Sequence, residues 1–344
     1  PRIIVLCDGT WCGSETNTQS NIYRLMEMIN KQEEQHESEQ DPSPLPNDYR
    51  PDIEACYFPG AGLRGTFLEY IFNGATGNDI DKNCIEVYEY IVQHFTPNHE
   101  IWMFGLSRGA YTVRCVAGMI NNCGILRRRD DKSLCEEVYR IYRSRDPLDH
   151  PEAPRSTAFK RRASYDVTTP VKFMGLFDTV GSLGIPYLNP GIGLMFHEFY
   201  DTKISTVVEK VYHALSIHDR LWIFEPCHAL PAKHRDNVPA GIHERWFPGC
   251  HYDLGRQRFR FFRYEGKDAE VDRLVGGLSE SIKPNQYFAD LVLKWMLESM
   301  MKHSGNTIIS GIKSEIDKLK PAQGIDLGSG DVYSNLFPYG PLGN

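Results

Sequence analysis

One stretch of the chain decides the fold that the sequence predicts: Glu100-Ile-Trp-Met-Phe-Gly-Leu-Ser-Arg-Gly-Ala-Tyr-Thr-Val113. A short apolar run ends at Gly105, a serine follows, and Gly109 opens a segment with helical spacing. This is the G-x-S-x-G pattern, in which a strand turns sharply into a helix and presents a serine hydroxyl. The glycines remove side chains where the two backbones approach each other. The pattern predicts a nucleophile at Ser107, and a serine that merely caps the helix fits it as well.

The flanking segments alternate between strand and helix patterns. Residues 2–7 and 53–58 are strand-like apolar runs, whereas residues 22–29 and 80–91 carry apolar residues at helical spacing. The order β-α-β-α-β-α implies a parallel sheet with right-handed crossovers. The sequence therefore predicts an α/β fold with a mostly parallel sheet flanked by helices. Later elements predicted by the same patterns are strands at 171–177 and 243–247 and a helix at 285–300.

No internal repeat and no second hydrophobic core divides the chain, so we expect residues 1–344 to form one domain. Residues 33–52 are rich in Glu, Gln, Ser, Asp and Pro and indicate a mobile surface loop. Residues 125–168 and 182–209 are predicted insertions. Within the second insertion, the apolar, Gly/Pro-rich segment 182–200 favours a lid or a substrate wall, with a place in the core as the alternative.

Composition limits the functional classes. The 344 residues are 41% hydrophobic and 24% charged, with a formal net charge of −7, which argues against nucleic acid as the main partner. No apolar run reaches the roughly 18 residues of a membrane span. Nine cysteines without a C-x-x-C spacing indicate a reducing compartment, and we expect a cytoplasmic protein. A basic, aromatic segment at 256–263 fits an amphipathic edge better than a phosphate or headgroup site.

A second glycine pattern, Gly60-Ala-Gly62-Leu-Arg-Gly65, raises the question of a dinucleotide site. That site needs a helix opening at the third glycine and an acidic residue about 20 positions later, at a strand end. Glu86 has the right spacing but lies inside the predicted helix, so we interpret these glycines as a loop beside the site. There is also no H-E-x-x-H pattern and no ligand spacing among the histidines. The sequence therefore predicts neither a cofactor nor a metal.

Two more candidate residues follow predicted strands. Asp178 comes directly after the strand at 171–177, and His251 lies in a turn flanked by glycines after the strand at 243–247. Each is ordinary alone, as a turn aspartate or a surface histidine. Their order with Ser107, however, is the Ser-Asp-His order of α/β-hydrolases. Histidine would take the serine proton, and the carboxylate would fix the histidine tautomer.

An ester hydrolase also needs donors for the oxyanion of its tetrahedral intermediate. The N–H of Arg108 is the first candidate, because it follows the nucleophile and lies at a helix N-terminus. The second is the N–H of Gly9 or Thr10, in the turn after the first strand. Asp8 in the same turn either orients the elbow or is a common turn aspartate.

Five motifs occur together in this chain: Cys7-Asp-Gly-Thr-Trp11, Phe104-Gly-Leu-Ser-Arg-Gly-Ala-Tyr-Thr-Val-Arg114, Phe177-Asp-Thr-Val-Gly181, His213-Ala-Leu-Ser216 and Trp246-Phe-Pro-Gly-Cys-His-Tyr-Asp-Leu-Gly255. Together they resemble one family, the α/β-hydrolases of bacterial type VI secretion phospholipase effectors with their uncharacterised fungal relatives. The resemblance implies an α/β-hydrolase fold, catalytic Ser107, Asp178 and His251, and ester hydrolysis, with phospholipids as substrates of the bacterial members. This chain departs from the family after Gly255, where Arg256 and Gln257 replace further glycines.

The combined prediction is a cofactor-independent serine hydrolase that cleaves carboxylic esters through an acyl-enzyme intermediate. Its expected substrate is a lipid or another apolar acyl ester, reached by transient contact with a membrane surface and without a transmembrane segment. Two alternatives stay open. One is a catalytically silent α/β-hydrolase scaffold that binds a small ligand or a partner. The other is an amidase, thioesterase or lyase that uses the same three residues.

Overall fold

The structure, a computed structural model, describes residues 1–9, 19–38, 53–60, 77–168, 170–180, 203–219, 226–231, 241–257 and 284–319. Its strands are β1 (Arg2–Cys7), β2 (Ile53–Phe58), β3 (Glu100–Leu106), β4 (Val171–Phe177), β5 (Lys203–Ile204), β6 (Val208–Ser216), β7 (Leu230–Pro231) and β8 (Gly241–Phe247). Its helices are α1 (Asn21–Ser38), α2 (Gly77–His94), α3 (Arg108–Cys123), α4 (Lys132–Arg143), α5 (Pro154–Ala163), α6 (His251–Gly255), α7 (Gln286–Ser304) and α8 (Ile312–Lys318).

Six strands form one parallel sheet in the order β2-β1-β3-β4-β6-β8, which confirms the predicted fold class. The strand order reverses beside β1, because β2 pairs on one side of it and β3 on the other. In open parallel sheets, ligands bind outside the carboxyl ends of the strands at such a reversal. The turn after β3 carries Ser107, so the fold puts this serine at the edge where a site is expected.

The two faces of the sheet bury separate hydrophobic clusters. Along β1, Ile3 and Val5 join the cluster that contains α2 and α3, whereas Ile4 and Leu6 join the cluster that contains α1 and α7. All four side chains are fully buried. Since helices cover both faces, this strand is a continuous apolar run instead of an alternating one.

The elements differ from the sequence prediction in three places. Residues 33–38 continue α1 to Ser38 instead of beginning a loop, because Glu and Gln are good helix formers and no Gly or Pro interrupts them. The segment 125–168, predicted as an insertion, holds helices α4 and α5. Residues 203–209 contain β5 and the start of β6 with a turn between them, so this end of the predicted insertion is partly strand; Val208 is β-branched and buried.

Other predictions fall on residues outside the described ranges. These are the loop at 39–52, most of the glycine pattern at 60–65, the lid segment at 182–200 and most of the basic segment at 256–263. The one-domain organisation likewise stays a prediction.

Candidate active site

Ser107 lies on a strained turn between β3 and α3. Its φ of 57° and ψ of −120° put a non-glycine residue in a region that side chains rarely adopt. The residue occupies the N-cap position of α3, yet its side chain makes no capping hydrogen bond. Its Oγ instead lies 2.9 Å from Nε2 of His251. The capping interpretation of this serine is therefore wrong.

The two glycines of the elbow are required by the close approach of backbones. A Cβ on Gly105 would lie 2.5 Å from Cα of Ala110. A Cβ on Gly109 would lie 2.6 Å from the carbonyl oxygen of Asp8 and would overlap that of Cys7. Gly109 thus lets α3 begin directly against the end of β1. This confirms the packing reason that the sequence suggested for both glycines.

The structure brings together the three side chains that follow β3, β4 and β8. His251 Nε2 is 2.9 Å from Ser107 Oγ, and His251 Nδ1 is 2.8 Å from Asp178 Oδ2. All three residues are buried, with exposed fractions of 4% for Ser107, 2% for His251 and 0% for Asp178. With Nδ1–H donating to the carboxylate, Nε2 has a lone pair facing the hydroxyl. This arrangement can take a proton from the serine.

Ser216, at the end of β6, fixes the carboxylate of Asp178. Its N–H donates to Oδ1 and its hydroxyl donates to Oδ2, both at 2.9 Å. Asp178 itself has a left-handed φ of 44°, and its N–H donates to the carbonyl of Ala214 at 2.8 Å. Sequence reasoning gave Ser216 no role. The missing signal was the pairing of β4 with β6, which makes the ends of these two strands neighbours.

The turn after β6 also holds the loop that carries His251. The backbone of His218 donates to the carbonyl of Gly249, and the N–H of Gly249 donates to His218 Nδ1, both at 3.1 Å. The carboxylate of Asp219 accepts the N–H of His251 at 2.8 Å. The sequence patterns gave neither His218 nor Asp219 a role in the site. His251 begins α6, so Asp219 also places a negative charge at this helix N-terminus.

Asp253 joins the start of α6 to the start of α7. Its Oδ2 accepts the N–H of Cys250 at 3.0 Å, and its Oδ1 accepts the N–H of Asn285 at 2.7 Å. His251 Nδ1–H donates instead to the carboxylate of Asp178. Asp253 therefore stabilises the loop that carries His251 by joining it to the start of α7.

Arg256 closes α6 with a left-handed φ of 58°, a backbone conformation that favours glycine. Its guanidinium contacts the carboxylate of Asp290, and its Nε donates to Oδ1 of Asn21 at 3.1 Å. The Nδ2 of Asn21 donates to the carbonyls of Leu254 at 2.7 Å and Ala289 at 3.1 Å. These contacts join α1, α6 and α7 behind His251 and oppose the backbone strain at Arg256.

Asp8 organises the turn after β1. Its Oδ1 accepts the N–H of Gly9 at 2.7 Å, and its Oδ2 accepts the hydroxyls of Ser20 at 2.5 Å and Tyr57 at 2.7 Å. Gly9 lies against the elbow, since a Cβ on it would be 3.2 Å from Cβ of Ser107. Asp8 therefore orients the turn that borders the serine.

Of the predicted oxyanion donors, the structure describes Arg108 and Gly9. Arg108 is the first residue of α3, directly after the serine. The N–H of Gly9 borders the site and is hydrogen-bonded to Asp8 in this structure. Thr10 lies outside the described residues. The choice between Gly9 and Thr10 as second donor stays a prediction.

Two buried thiols lie near the three residues. Burial, with the neighbouring Cys56 and Asp8, raises the pKa of Cys7, and burial, with Asp253 and Asp219, raises the pKa of Cys250. Both thiols are therefore protonated at neutral pH and are poor nucleophiles. The hydroxyl of Ser107 is the group that faces a base.

Within the described ranges, no three or more His, Cys, Asp or Glu side chains are grouped in a way that could hold a metal ion. No helix in those ranges combines the length and the hydropathy needed to cross a membrane.

A parallel sheet of this order, with a strained serine after β3 and an acid and a histidine after later strands, defines the α/β-hydrolase class. Residues 1–299 match the sequence profile of a narrower group, described as "T6SS, Phospholipase effector Tle1-like, catalytic domain". The chain belongs to this family.

The similar proteins are longer than the parts of them that match this chain. A Saccharomyces cerevisiae protein, described as "Uncharacterized protein YEL023C", is 28% identical over 186 residues, which are 48% of this chain and 26% of the yeast protein. An uncharacterized protein from Pseudomonas aeruginosa has a solved structure with a TM-score of 0.43 and 16% identity, covering 88% of this chain and 46% of that one. The Tle1 effector bound to the VgrG spike of the type 6 secretion system gives 0.35 and 18%, covering 74% and 50%. This chain thus spans about a quarter of the yeast relative.

Proposed function

We propose that this protein is a serine hydrolase that cleaves carboxylic esters of lipids, with Ser107, His251 and Asp178 as its catalytic residues. One observation carries the proposal: an unbroken, buried hydrogen-bond chain runs from the serine hydroxyl through the imidazole to the carboxylate. Membership of a phospholipase effector family supports a lipid ester as the substrate class.

The geometry gives each residue a step. Ser107 Oγ attacks the acyl carbonyl while its proton passes to His251 Nε2, and Asp178 stabilises the imidazolium that forms. The histidine then returns the proton to the departing alcohol, which leaves an acyl-enzyme at Ser107. Water attacks this ester with His251 again as base, so the fatty acid is released and the serine regains its proton.

The tetrahedral intermediate places negative charge beside the N-terminus of α3. The N–H of Arg108 is the first proposed donor, and the turn at Gly9 and Thr10 supplies the second. Such donors act only when they are held in place before the reaction. Asp8 accepts hydrogen bonds from Ser20 and Tyr57, which supports a fixed turn after β1. The N–H of Gly9 donates to Asp8 in this structure, so Gly9 would have to leave that acceptor to bind the oxyanion.

No disulfide bond joins the described cysteines, and we propose a reducing, cytoplasmic compartment for the protein. A lipid substrate would bring the protein into transient contact with a membrane surface.

A fluorophosphonate probe tests the proposal, because it reacts covalently with activated serines. We expect labelling of the folded protein that Ser107→Ala abolishes. Ser156→Ala is the matched control, since Ser156 is a fully buried serine on α5 that bonds to the carbonyl of Asp149 away from the site. Absence of labelling in folded wild-type protein would favour a silent scaffold. Matched ester, thioester and amide substrates of one acyl chain then decide between the ester hydrolase and its amidase or thioesterase alternatives.

A further inference from the structure

A second buried histidine, His213, lies beside Asp178 and outside the set of three catalytic residues. It is on β6, between β4 and β8, and its exposed fraction is 0%. Its Nε2 accepts the backbone N–H of Thr179 at 3.2 Å, and its Nδ1 lies 2.9 Å from Oε1 of Glu244 on β8. Both ring nitrogens are thus engaged, which leaves this histidine no lone pair for substrate chemistry.

These contacts define the tautomer of the ring. A backbone N–H can only donate, so Nε2 of His213 carries a lone pair toward Thr179 and Nδ1–H donates to Glu244. Burial lowers the pKa of His213, the nearby Arg114 lowers it further, and Glu244 and Asp178 oppose the shift. The neutral ring is therefore the form that fits this position. A protonated ring would present an N–H to the N–H of Thr179.

Glu244 is itself firmly placed. Its Oε1 also accepts the N–H of Ala229 at 2.7 Å, and its Oε2 lies 3.0 Å from Nδ1 of His228. Burial alone would raise the pKa of Glu244, but the hydrogen bonds from His213, Ala229 and His228 hold it at about 2. Glu244 is therefore a carboxylate that fixes the orientation of the imidazole at neutral pH.

Thr179 is held on both sides of its backbone. Its N–H is bound by His213, and its carbonyl accepts the N–H of Cys227 at 2.8 Å. The segment that contains Cys227 is fixed in turn by Arg114 on α3, whose guanidinium donates to the carbonyls of Cys227 at 2.6 Å and His228 at 3.0 Å. Because Asp178 precedes Thr179 and has a left-handed φ of 44°, this fixation opposes relaxation of a strained peptide.

We propose that His213 is a positioning residue for the catalytic acid: anchored by Glu244, it holds the Asp178–Thr179 peptide so that the Asp178 carboxylate faces His251. This inference rests on the proposed function, because it needs Asp178 to act through His251. Removing the imidazole lets the carboxylate move away from His251. A displacement of about 1 Å in such a group can cost about 10²-fold in turnover.

The test compares purified full-length variants on a short-chain p-nitrophenyl ester, with thermal unfolding as the folding check. His213→Leu keeps the apolar volume and removes both hydrogen bonds. His213→Gln restores an acceptor for Thr179 and a donor for Glu244. Glu244→Gln keeps an acceptor for the ring and removes the charge. Glu209→Gln is the matched control, because Glu209 is a surface carboxylate on β6 that pairs with Lys172.

We expect His213→Leu to lower kcat by about 10²-fold with little change in KM, and His213→Gln to recover part of that loss. Glu244→Gln should lower kcat less than His213→Leu does, and Glu209→Gln should match wild type.

Each result has a defined meaning. An unchanged kcat in His213→Leu overturns the inference. A fall in kcat that His213→Gln does not partly recover also overturns it, because it indicates a structural role only. If His213→Leu does not fold, Glu244→Gln decides: a kcat equal to that of Glu209→Gln overturns the inference. Fluorophosphonate labelling separates this inference from the proposed function. Labelled wild-type protein together with a fully active His213→Leu variant contradicts this inference alone. Unlabelled wild-type protein contradicts both.

Discussion

The elbow at Ser107 and the loop at His251 meet at one site but are held in different ways. The elbow depends on close backbone packing, of Gly105 against Ala110 in the same motif and of Gly109 against the end of β1. The loop depends on side-chain hydrogen bonds from residues outside its own motif, such as Asp219 and Asn21. A short motif therefore carries the glycines that the proposed nucleophile needs, whereas the proposed base depends on side chains that only the assembled fold brings to it.

The largest expected effect comes from Asp178→Asn, which breaks the connection between the two regions. The amide presents a donor to His251 and favours the wrong tautomer, so we expect kcat to fall by about 10⁴-fold while the fold is kept. Ester kinetics measure kcat, and circular dichroism checks that the fold is kept.

Asp253→Asn is the matched aspartate in the same comparison. It replaces one of two acceptors of backbone N–H groups, so its main effect should be a lower free energy of unfolding, by about 1–3 kcal/mol. If Asp253→Asn abolished turnover and Asp178→Asn did not, our choice of acid would be wrong.

Gly109→Ala tests the backbone side of the comparison. Its Cβ would collide with the carbonyls of Cys7 and Asp8, which cannot move without displacing β1, so we expect a loss of about 1–3 kcal/mol or more in urea unfolding. Gly241→Ala is the control, because the nearest atoms to its Cβ belong to the flexible end of Lys210. Equal stability of the two variants would contradict the packing argument.

Asp219→Ala tests the side-chain side of the comparison with a smaller effect. Removing the acceptor of the His251 N–H should lower kcat by about 10–100-fold, the usual cost of losing a group that orients a functional side chain. KM and the free energy of unfolding should change little, because Asp219 is partly exposed. A variant with wild-type kcat would show that the remaining bonds of the loop suffice.

The smallest effect concerns acid stability. Burial lowers the pKa of His213 in the folded chain, whereas the unfolded chain has the ordinary value of about 6.5. The unfolded state therefore binds more protons as the pH falls, so the free energy of unfolding decreases below about pH 6.5. His213→Gln lacks this contribution, and urea unfolding from about pH 7 to pH 5 should show a shallower slope for it. Parallel slopes would contradict the buried neutral ring.

The sheet was predictable because its signals are local. The continuous apolar run at β1 and the glycine pattern after β3 indicated a buried parallel strand and an elbow without any knowledge of neighbours. Chain order then suggested Asp178 and His251, and the structure brings both to Ser107.

The supporting residues were not predictable in the same way. Ser216 matters only because β6 pairs with β4, and Glu244 matters only because β8 pairs with β6. A sequence shows that such residues follow or lie in strands, but it does not give the strand order. Helix α5 was missed for a different reason: its basic residues give a weak amphipathic pattern.

The hydrogen bond between Arg256 and Asn21 bears on the order in which the parts of the candidate site form. They are separated by 235 positions, and Asn21 also bonds to Ala289, 268 positions away. The close contacts of Gly105 and Gly109 lie within the first third of the chain. The loop that carries His251, the proposed base, instead bonds to Asn21 near the start of the chain and to Asn285 at the start of α7. We therefore expect a chain that stops before α7 to keep the packing of the elbow but to lack part of the frame that places His251, the proposed base.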